Sequence, residues 1–199
     1  MAAFLLLGLA GGVAAGDRTI LVLGDSLSAA YGMDRDQGWV ALLEQRLADE
    51  ELPWRTANAS TGGDTTRNGL SRLPQALERH EPAIVVVALG GNDGLRGVSP
   101  GEIERNLERI VETARDAGAR VLIAGVRIPP NYGQAYTERF AQAFANVATE
   151  YDLALVPRIL DGVAEDPGLM QSDGIHPAAD AQPRILDNIW SELRPMLAE

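Results

Sequence analysis

The feature that most constrains the fold is Ile84-Val85-Val86-Val87, a β-branched run with no polar position. A strand with one wet face alternates apolar and polar residues, whereas a run that is apolar throughout is buried on both faces. Helices on both sides of a parallel sheet provide that burial. Thr19-Ile20-Leu21-Val22-Leu23 has the same character and ends at Gly24, which reads as a buried strand entering a sharp turn.

The rest of the chain alternates to match. Trp39 to Asp49 carries Val40, Leu43 and Leu47 at helical spacing, and Trp54 to Ala59 reads as a second, weaker strand. Leu70 to His80 aligns Leu70, Leu73 and Leu77 on one helical face, and Pro82 to Leu89 contains the third strand. Pro100 to Ala117 is an amphipathic helix, with Ser99 as N-cap, Pro100 in its first turn and Gly118 as its stop. Arg120 to Ala124 is the fourth strand, Ala135 to Tyr151 a helix and Leu153 to Val156 a short fifth strand. Ala178 to Leu197 is mostly helical, with a kink or late start at Pro183. Right-handed crossovers then predict an α/β fold, a five-stranded parallel sheet in the flavodoxin-like order 2-1-3-4-5. No repeat or linker divides residues 17–199, so they read as one domain.

Composition removes several classes of chemistry. The chain of 199 residues has no Cys, which excludes disulfides, thiolate metal sites and cysteine nucleophiles. All 17 basic residues are Arg, so P-loop phosphate binding, Ser-Lys dyads and Schiff bases have no lysine to work with. A net charge of -11 disfavours nucleic acid and anionic membrane surfaces as partners. Any imidazole catalyst must be His80 or His176. His80 follows Arg79 near a helix end and reads as structural.

Residues 1–16 form an apolar, Gly-containing segment ending near Val13-Ala14-Ala15. They resemble a secretory signal without its basic residue, the alternative being an N-terminal tail. The expected location is therefore periplasmic or secreted, or cytoplasmic if the segment does not direct export. No stable membrane insertion is expected of the domain that follows.

Ligands of such a sheet bind beyond the carboxyl ends of the strands, at the switch point between the first and third. Gly24-Asp25-Ser26-Leu27-Ser28, Thr61-Gly62-Gly63-Asp64 and Gly90-Gly91-Asn92-Asp93 follow the first three strands, and Asp173-Gly174-Ile175-His176 lies far downstream. Ser26 is the candidate nucleophile and needs a base within hydrogen-bond reach. His176 can be that base, oriented by Asp173 three residues earlier. The backbone N–H of Ser26, that of Gly63 and the Asn92 amide can meet a developing oxyanion. Taken singly, each motif has an ordinary reading: a turn, a helix start capped by Asp64, a strand-to-helix loop, a surface ion pair. Their occurrence after successive strands of one sheet favours catalysis. A histidine base predicts activity that rises between about pH 5 and 8. Trp39, Trp54 and Trp190 read as packing residues.

These blocks resemble those of the GDSL, or SGNH, hydrolase family over nearly the whole chain after Asp17. Within it they are most similar to bacterial periplasmic esterases of thioesterase, lysophospholipase and arylesterase type. Leu23 to Ala29, Leu89 to Gly97, Pro130 to Gly133 and Asp173 to Pro177 carry the likeness. The resemblance implies a three-layer α/β/α sandwich, a catalytic set of Ser26, Gly63, Asn92 and His176 completed by Asp173, and no metal or cofactor. It implies hydrolysis of acyl esters and thioesters, such as aryl esters, acyl-CoA and lysophospholipids, by a monomer. A mobile loop at Gly94 to Val98 is implied too. Leu95, Ile128, Pro129 and Tyr132 would line an apolar acyl groove. Gly62 beside Gly63 is a small departure that adds backbone freedom.

Other readings are a carbohydrate O-acetylesterase with the same residues, a flavodoxin-like nucleotide-binding module, and an Mg²⁺ pocket built from Asp25, Asp64, Asp93 and Asp173. The binding module lacks a phosphate-cradling run of Gly, Ser and Thr after the first strand. The Mg²⁺ phosphotransfer families use a lysine that is missing here. An α/β-hydrolase elbow, Gly-x-Ser-x-Gly, is excluded because Ser28 stands at its last position.

Overall fold

A computed structural model describes residues 18–198. The segment read as a signal, residues 1–16, lies outside the described residues. Strands β1 (Arg18–Gly24), β2 (Trp54–Asn58), β3 (Ile84–Ala88), β4 (Arg120–Ala124) and β5 (Ala154–Val156) form one parallel sheet in the order β2-β1-β3-β4-β5. The central pair is in register from Ile20 opposite Ile84 to Gly24 opposite Ala88. Every residue of β3 is buried, as its uninterrupted apolar run requires.

Helices cover both faces. α1 (Trp39–Asp49) packs with α6 (Gln182–Met196). α2 (Thr66–His80), α4 (Pro100–Asp116) and α5 (Gln134–Glu150) form the other layer. α4 directs Ile103, Leu107, Ile110, Val111 and Ala114 inward and is capped by Ser99, whose hydroxyl accepts Glu102 N–H. Full burial of each of the Ile, Leu and Val side chains contributes roughly 1.5–3 kcal/mol.

The structure departs from the expected bounds in small ways and adds one element. Helix α6 begins at Gln182, not Ala178, after a 3-10 turn at Ala179–Ala181. Pro183 is thus a late start, in the first turn where a missing N–H costs nothing. Thr65, not Asp64, caps α2, its hydroxyl accepting Asn68 N–H. The added element is α3 (Gly91–Leu95), a single turn directly after β3 in a segment read as loop. Its Gly90 N-cap has φ of 113°, and a Cβ there would lie 2.7 Å from the Phe144 ring. Both demands are met by glycine alone.

Candidate active site

The site gathers at the carboxyl ends of β1 and β3. After Gly24 the chain turns at once, with Ser28 and Ala29 N–H donating to Asp25 O at 3.2 and 3.0 Å. This turn presents Ser26, half-buried, to His176. Ser26 Oγ donates to His176 Nε2 at 2.9 Å. His176 Nδ1 donates to Asp173 Oδ2 at 2.6 Å. With Nδ1 protonated toward the carboxylate, Nε2 keeps its lone pair for the hydroxyl proton.

The Asp173–His176 spacing works through a tight loop, not a helix. Asp173 Oδ1 accepts the N–H groups of His176 and Ile175 at 3.0 and 2.9 Å. The His176 backbone N–H, the His176 side chain and the Ile175 N–H hold the Asp173 carboxyl down at about 2. Gln171 closes the neck of the loop. Its N–H donates to His176 O at 2.7 Å, and its Nε2 donates to Pro177 O at 2.9 Å and to Tyr31 O at 2.8 Å. The His176 loop is thereby tied to the Ser26 loop. The Tyr31 ring also lies 4.2 Å from the His176 ring, tilted by 32°.

Opposite His176 lie the loops after β2 and β3. Gly63 has φ of 80°, and neither its N–H nor that of Ser26 has an acceptor among the described residues. Gly62 needs no such freedom. Asn92 sits on α3, and its Nδ2 donates to Asp64 O at 3.0 Å and to Asp25 Oδ2 at 3.2 Å. Arg96 Nη2 donates to Gly63 O at 3.0 Å.

The four aspartates of the Mg²⁺ reading do not converge. Asp64 pairs with Arg72 at 2.5 Å, and Asp173 faces His176. Asp93 turns inward, its oxygens accepting Thr66 N–H and Oγ1–H at 2.8 and 2.6 Å. Asp25 accepts Leu27 N–H at 3.0 Å besides Asn92. No set of metal ligands forms among the described residues.

The residues expected at an acyl groove separate into two groups. Leu95 and Tyr132 meet, Tyr132 Oη donating to Leu95 O at 2.9 Å, and Pro129 is exposed beside them in sequence. Ile128 instead is buried, close under Gly94, where an added Cβ would lie 2.4 Å from it. His80 ends α2, away from this chemistry, and Trp39 and Trp54 are buried packing residues.

Sequence reading missed several supports. Arg72 reaches from α2 to Asp64, to Gly24 O at 3.0 Å and to Ala59 O, joining the loops after β1 and β2. Nothing in the sequence singles out Gln171 or Tyr31, and Asp93 stands there as one residue of the Gly90–Asp93 block and as a possible Mg²⁺ ligand, without a partner on α2. Their bonds link residues far apart in sequence and leave no local signature.

Residues 22–182 match the model of the GDSL-like Lipase/Acylhydrolase family. The chain belongs to that family. It is 53% identical over 180 residues to the Esterase TesA of Pseudomonas aeruginosa, covering 90% of each chain. It is 43% identical over 184 residues to the Thioesterase 1/protease 1/lysophospholipase L1 of Escherichia coli K12, covering 92% of this chain and 87% of that one. Among solved structures, TesA superposes with a TM-score of 0.87 at 53% identity, over 89% of this chain and 99% of the other. The psychrotrophic esterase EstA of Pseudoalteromonas, solved with monoethylphosphonate as inhibitor, also gives 0.87, at 37% identity over 92% and 100%. The GDSL fold and the α/β order read from the sequence are those of these enzymes.

Proposed function

We propose that this protein is a serine esterase that hydrolyses acyl esters and thioesters through an acyl-enzyme, with Ser26 as nucleophile, His176 as base and Asp173 as its orienting carboxylate. The observation that carries the reading is the unbroken chain of hydrogen bonds from Ser26 through His176 to Asp173, at 2.9 and 2.6 Å.

Ser26 Oγ attacks the acyl carbonyl as its proton passes to His176 Nε2, and the carbonyl electron pair moves onto oxygen. The resulting imidazolium is stabilised by the ionised Asp173. Ser26 N–H, Gly63 N–H and Asn92 Nδ2 receive the oxyanion; one such donor is typically worth about 10²–10³ in rate. Collapse breaks the bond to the alcohol or thiol, which leaves with the proton from His176. Water then attacks the acyl-Ser26 ester, giving its proton to His176, and the carboxylic acid departs as Ser26 is reprotonated. The reaction requires only water.

Leu95, Pro129 and Tyr132 form the wall for the acyl chain, backed from beneath by Ile128. Residues 1–16 direct export, so the enzyme works in the periplasm or outside the cell. No described helix is long and apolar enough to cross a membrane.

The test is hydrolysis of p-nitrophenyl esters from acetate to palmitate, with Ser26→Ala in parallel and mass spectrometry after phosphonate treatment. The expected result is turnover and a covalent adduct at Ser26, both lost in Ser26→Ala. Asn92→Ala is expected to lower kcat more than it raises KM, because its bond to substrate forms in the transition state. Retention of most activity by Ser26→Ala overturns the mechanism. Turnover confined to acetate redirects the substrate toward O-acetylated carbohydrate.

A further inference from the structure

The amide of Asn92 is fully engaged before any substrate arrives. A primary amide has two N–H groups. Those of Asn92 are directed to Asp64 O at 3.0 Å and to Asp25 Oδ2 at 3.2 Å. An oxyanion can therefore gain Asn92 only if one of these acceptors is given up.

The two acceptors differ in what replaces a lost donor. Asp64 lies next to Gly63 on a loop that is only partly buried, so water can take the place of Asn92 at its carbonyl. Asp25 is 2% exposed. Around it stand Leu27, Ala88, Val126 and Ile159, and the open space they leave is about 10 Å³, at the lower limit for one water. Its carboxylate receives Leu27 N–H on one oxygen and Asn92 on the other. Losing Asn92 would leave a buried anionic oxygen without a donor, the more expensive loss.

Resting on the catalytic reading above, we infer that Asp25 is a positioning residue: its buried carboxylate holds the Asn92 amide while Asn92 exchanges its bond to Asp64 O for a bond to the substrate oxyanion. Asn92 thus enters the oxyanion hole by swapping one acceptor, with its second N–H fixed.

A consequence appears in the pH profile. Burial raises the Asp25 carboxyl from 3.8 to about 6, against the pull of the Leu27 N–H, Asn92 and His176, and with a smaller push from Asp64. His176 faces Asp25 from the base loop and Asp64 from the loop after β2, where Arg72 pairs with Asp64. Above about pH 6 the ionised carboxylate holds Asn92; below it, protonation weakens that hold, in addition to the separate requirement that His176 be unprotonated to act as base. Two protonations then suppress kcat, and the acid limb of log kcat against pH is steeper than one proton allows.

Ester hydrolysis by the parent, Asp25→Asn, Asn92→Ala and the double variant tests this, each measured from about pH 5 to 8. Asp25→Asn removes the charge and sets an amide N–H against the N–H of Leu27 or Asn92. It is expected to lower kcat by about 10–100-fold at pH 8, with KM changed by less than about threefold. In the Asn92→Ala background the same substitution should change kcat by less than about threefold, because it acts through Asn92. The acid-limb slope should fall from above one in the parent to one in Asp25→Asn. It should also fall to one in Asn92→Ala, which keeps Asp25 intact and gives the answer even if Asp25→Asn folds poorly.

Costs that multiply in the double variant, or an unaltered slope in Asn92→Ala, would overturn the inference. Turnover that survives Ser26→Ala would remove the nucleophile beneath it, a failure recognisable by that control alone.

Discussion

A carboxylate kept buried and ionised for function destabilises the fold, and for Asp25 the size of that effect can be worked out. Its carboxyl titrates at about 6 in the folded protein against 3.8 for an unperturbed group, chiefly because burial penalises the charge. At neutral pH this difference corresponds to about 3 kcal/mol of lost stability, at 1.36 kcal/mol per pKa unit. The sign follows from linkage. A folded-state value raised above the unfolded one means the native protein binds the extra proton, so stability increases as pH falls through about 6 toward 3.8.

Asp25→Asn cannot bind that proton and removes this contribution. The stability of the parent relative to Asp25→Asn should therefore rise by about 1 kcal/mol between pH 7.5 and pH 5, and by about 2 kcal/mol by pH 4. Other carboxylates cancel in the comparison, and His176 and Asp64 enter it only through their coupling to Asp25. Urea unfolding of the two proteins, extrapolated linearly to water at each pH, reads the difference directly. A difference that stays flat from pH 7.5 to pH 4 would refute the reasoning, because it would mean Asp25 carries no excess affinity for its proton.

Three further outcomes are expected. Asp93→Ala strands the Thr66 N–H and the Thr66 hydroxyl proton in a site that is 1% exposed at Asp93, the hydroxyl oxygen keeping only the Asn106 amide as donor. It should cost about 3 kcal/mol in urea unfolding, and a loss under about 0.5 kcal/mol would show that the Thr66 bonds do not anchor α2. Tyr31→Ala removes the ring 4.2 Å from His176, where an aromatic face would stabilise the imidazolium that the proposed acylation forms. It should lower kcat by about 3–30-fold whereas Tyr31→Phe keeps most of it, and equal losses in both would assign the effect to the hydroxyl instead. Asp173→Asn should reduce kcat by about 10⁴, the loss known for the equivalent change in the protease triad, because an amide favours the wrong imidazole tautomer. With Asp173 held at about 2, the fall in parent activity on acidification should not follow that group; a rate governed by one ionisation near 2 would contradict this.

Much of the fold was legible because its signals are local. The unbroken apolar run of β3 demanded burial on both faces, and the three-and-four spacing in α4 marked its inner face, as the structure confirms. The order of the strands followed from the handedness of crossovers. The turn at α3 was not legible, since Gly91-Asn92-Asp93-Gly94-Leu95 contains two glycines and has little helix propensity. Tertiary bonds hold it: Asp93 to Thr66, and Tyr132 Oη to Leu95 O. In the same way Ile128 looked like a groove residue by its neighbours, but the absent side chain of Gly94 opens a space beneath that turn which Ile128 fills.

The parts of the site divide between these two kinds of information. Ser26, Gly63 and Asn92 stand in short motifs after successive strands, and Asp173 and His176 in one short downstream loop, whereas the groups that hold them in place act across long sequence separations. On the base side, Gln171 bridges 140 positions to Tyr31 O, and the Tyr31 ring lies against His176. On the side of Gly63 and Asn92, Arg72 gathers Gly24, Ala59 and Asp64, Asp25 accepts from Asn92, and Asp93 pins the start of α2 just beyond Gly63. Charged and amide groups help to fix the geometry of these loops, and they act most strongly where burial weakens solvent screening. That arrangement explains why burial raises the carboxyls of both Asp25 and Asp93 without either group touching the reacting atoms. Preorganised dipoles stabilise a transition state only if they do not have to turn toward it, and fixing them costs the resting protein stability.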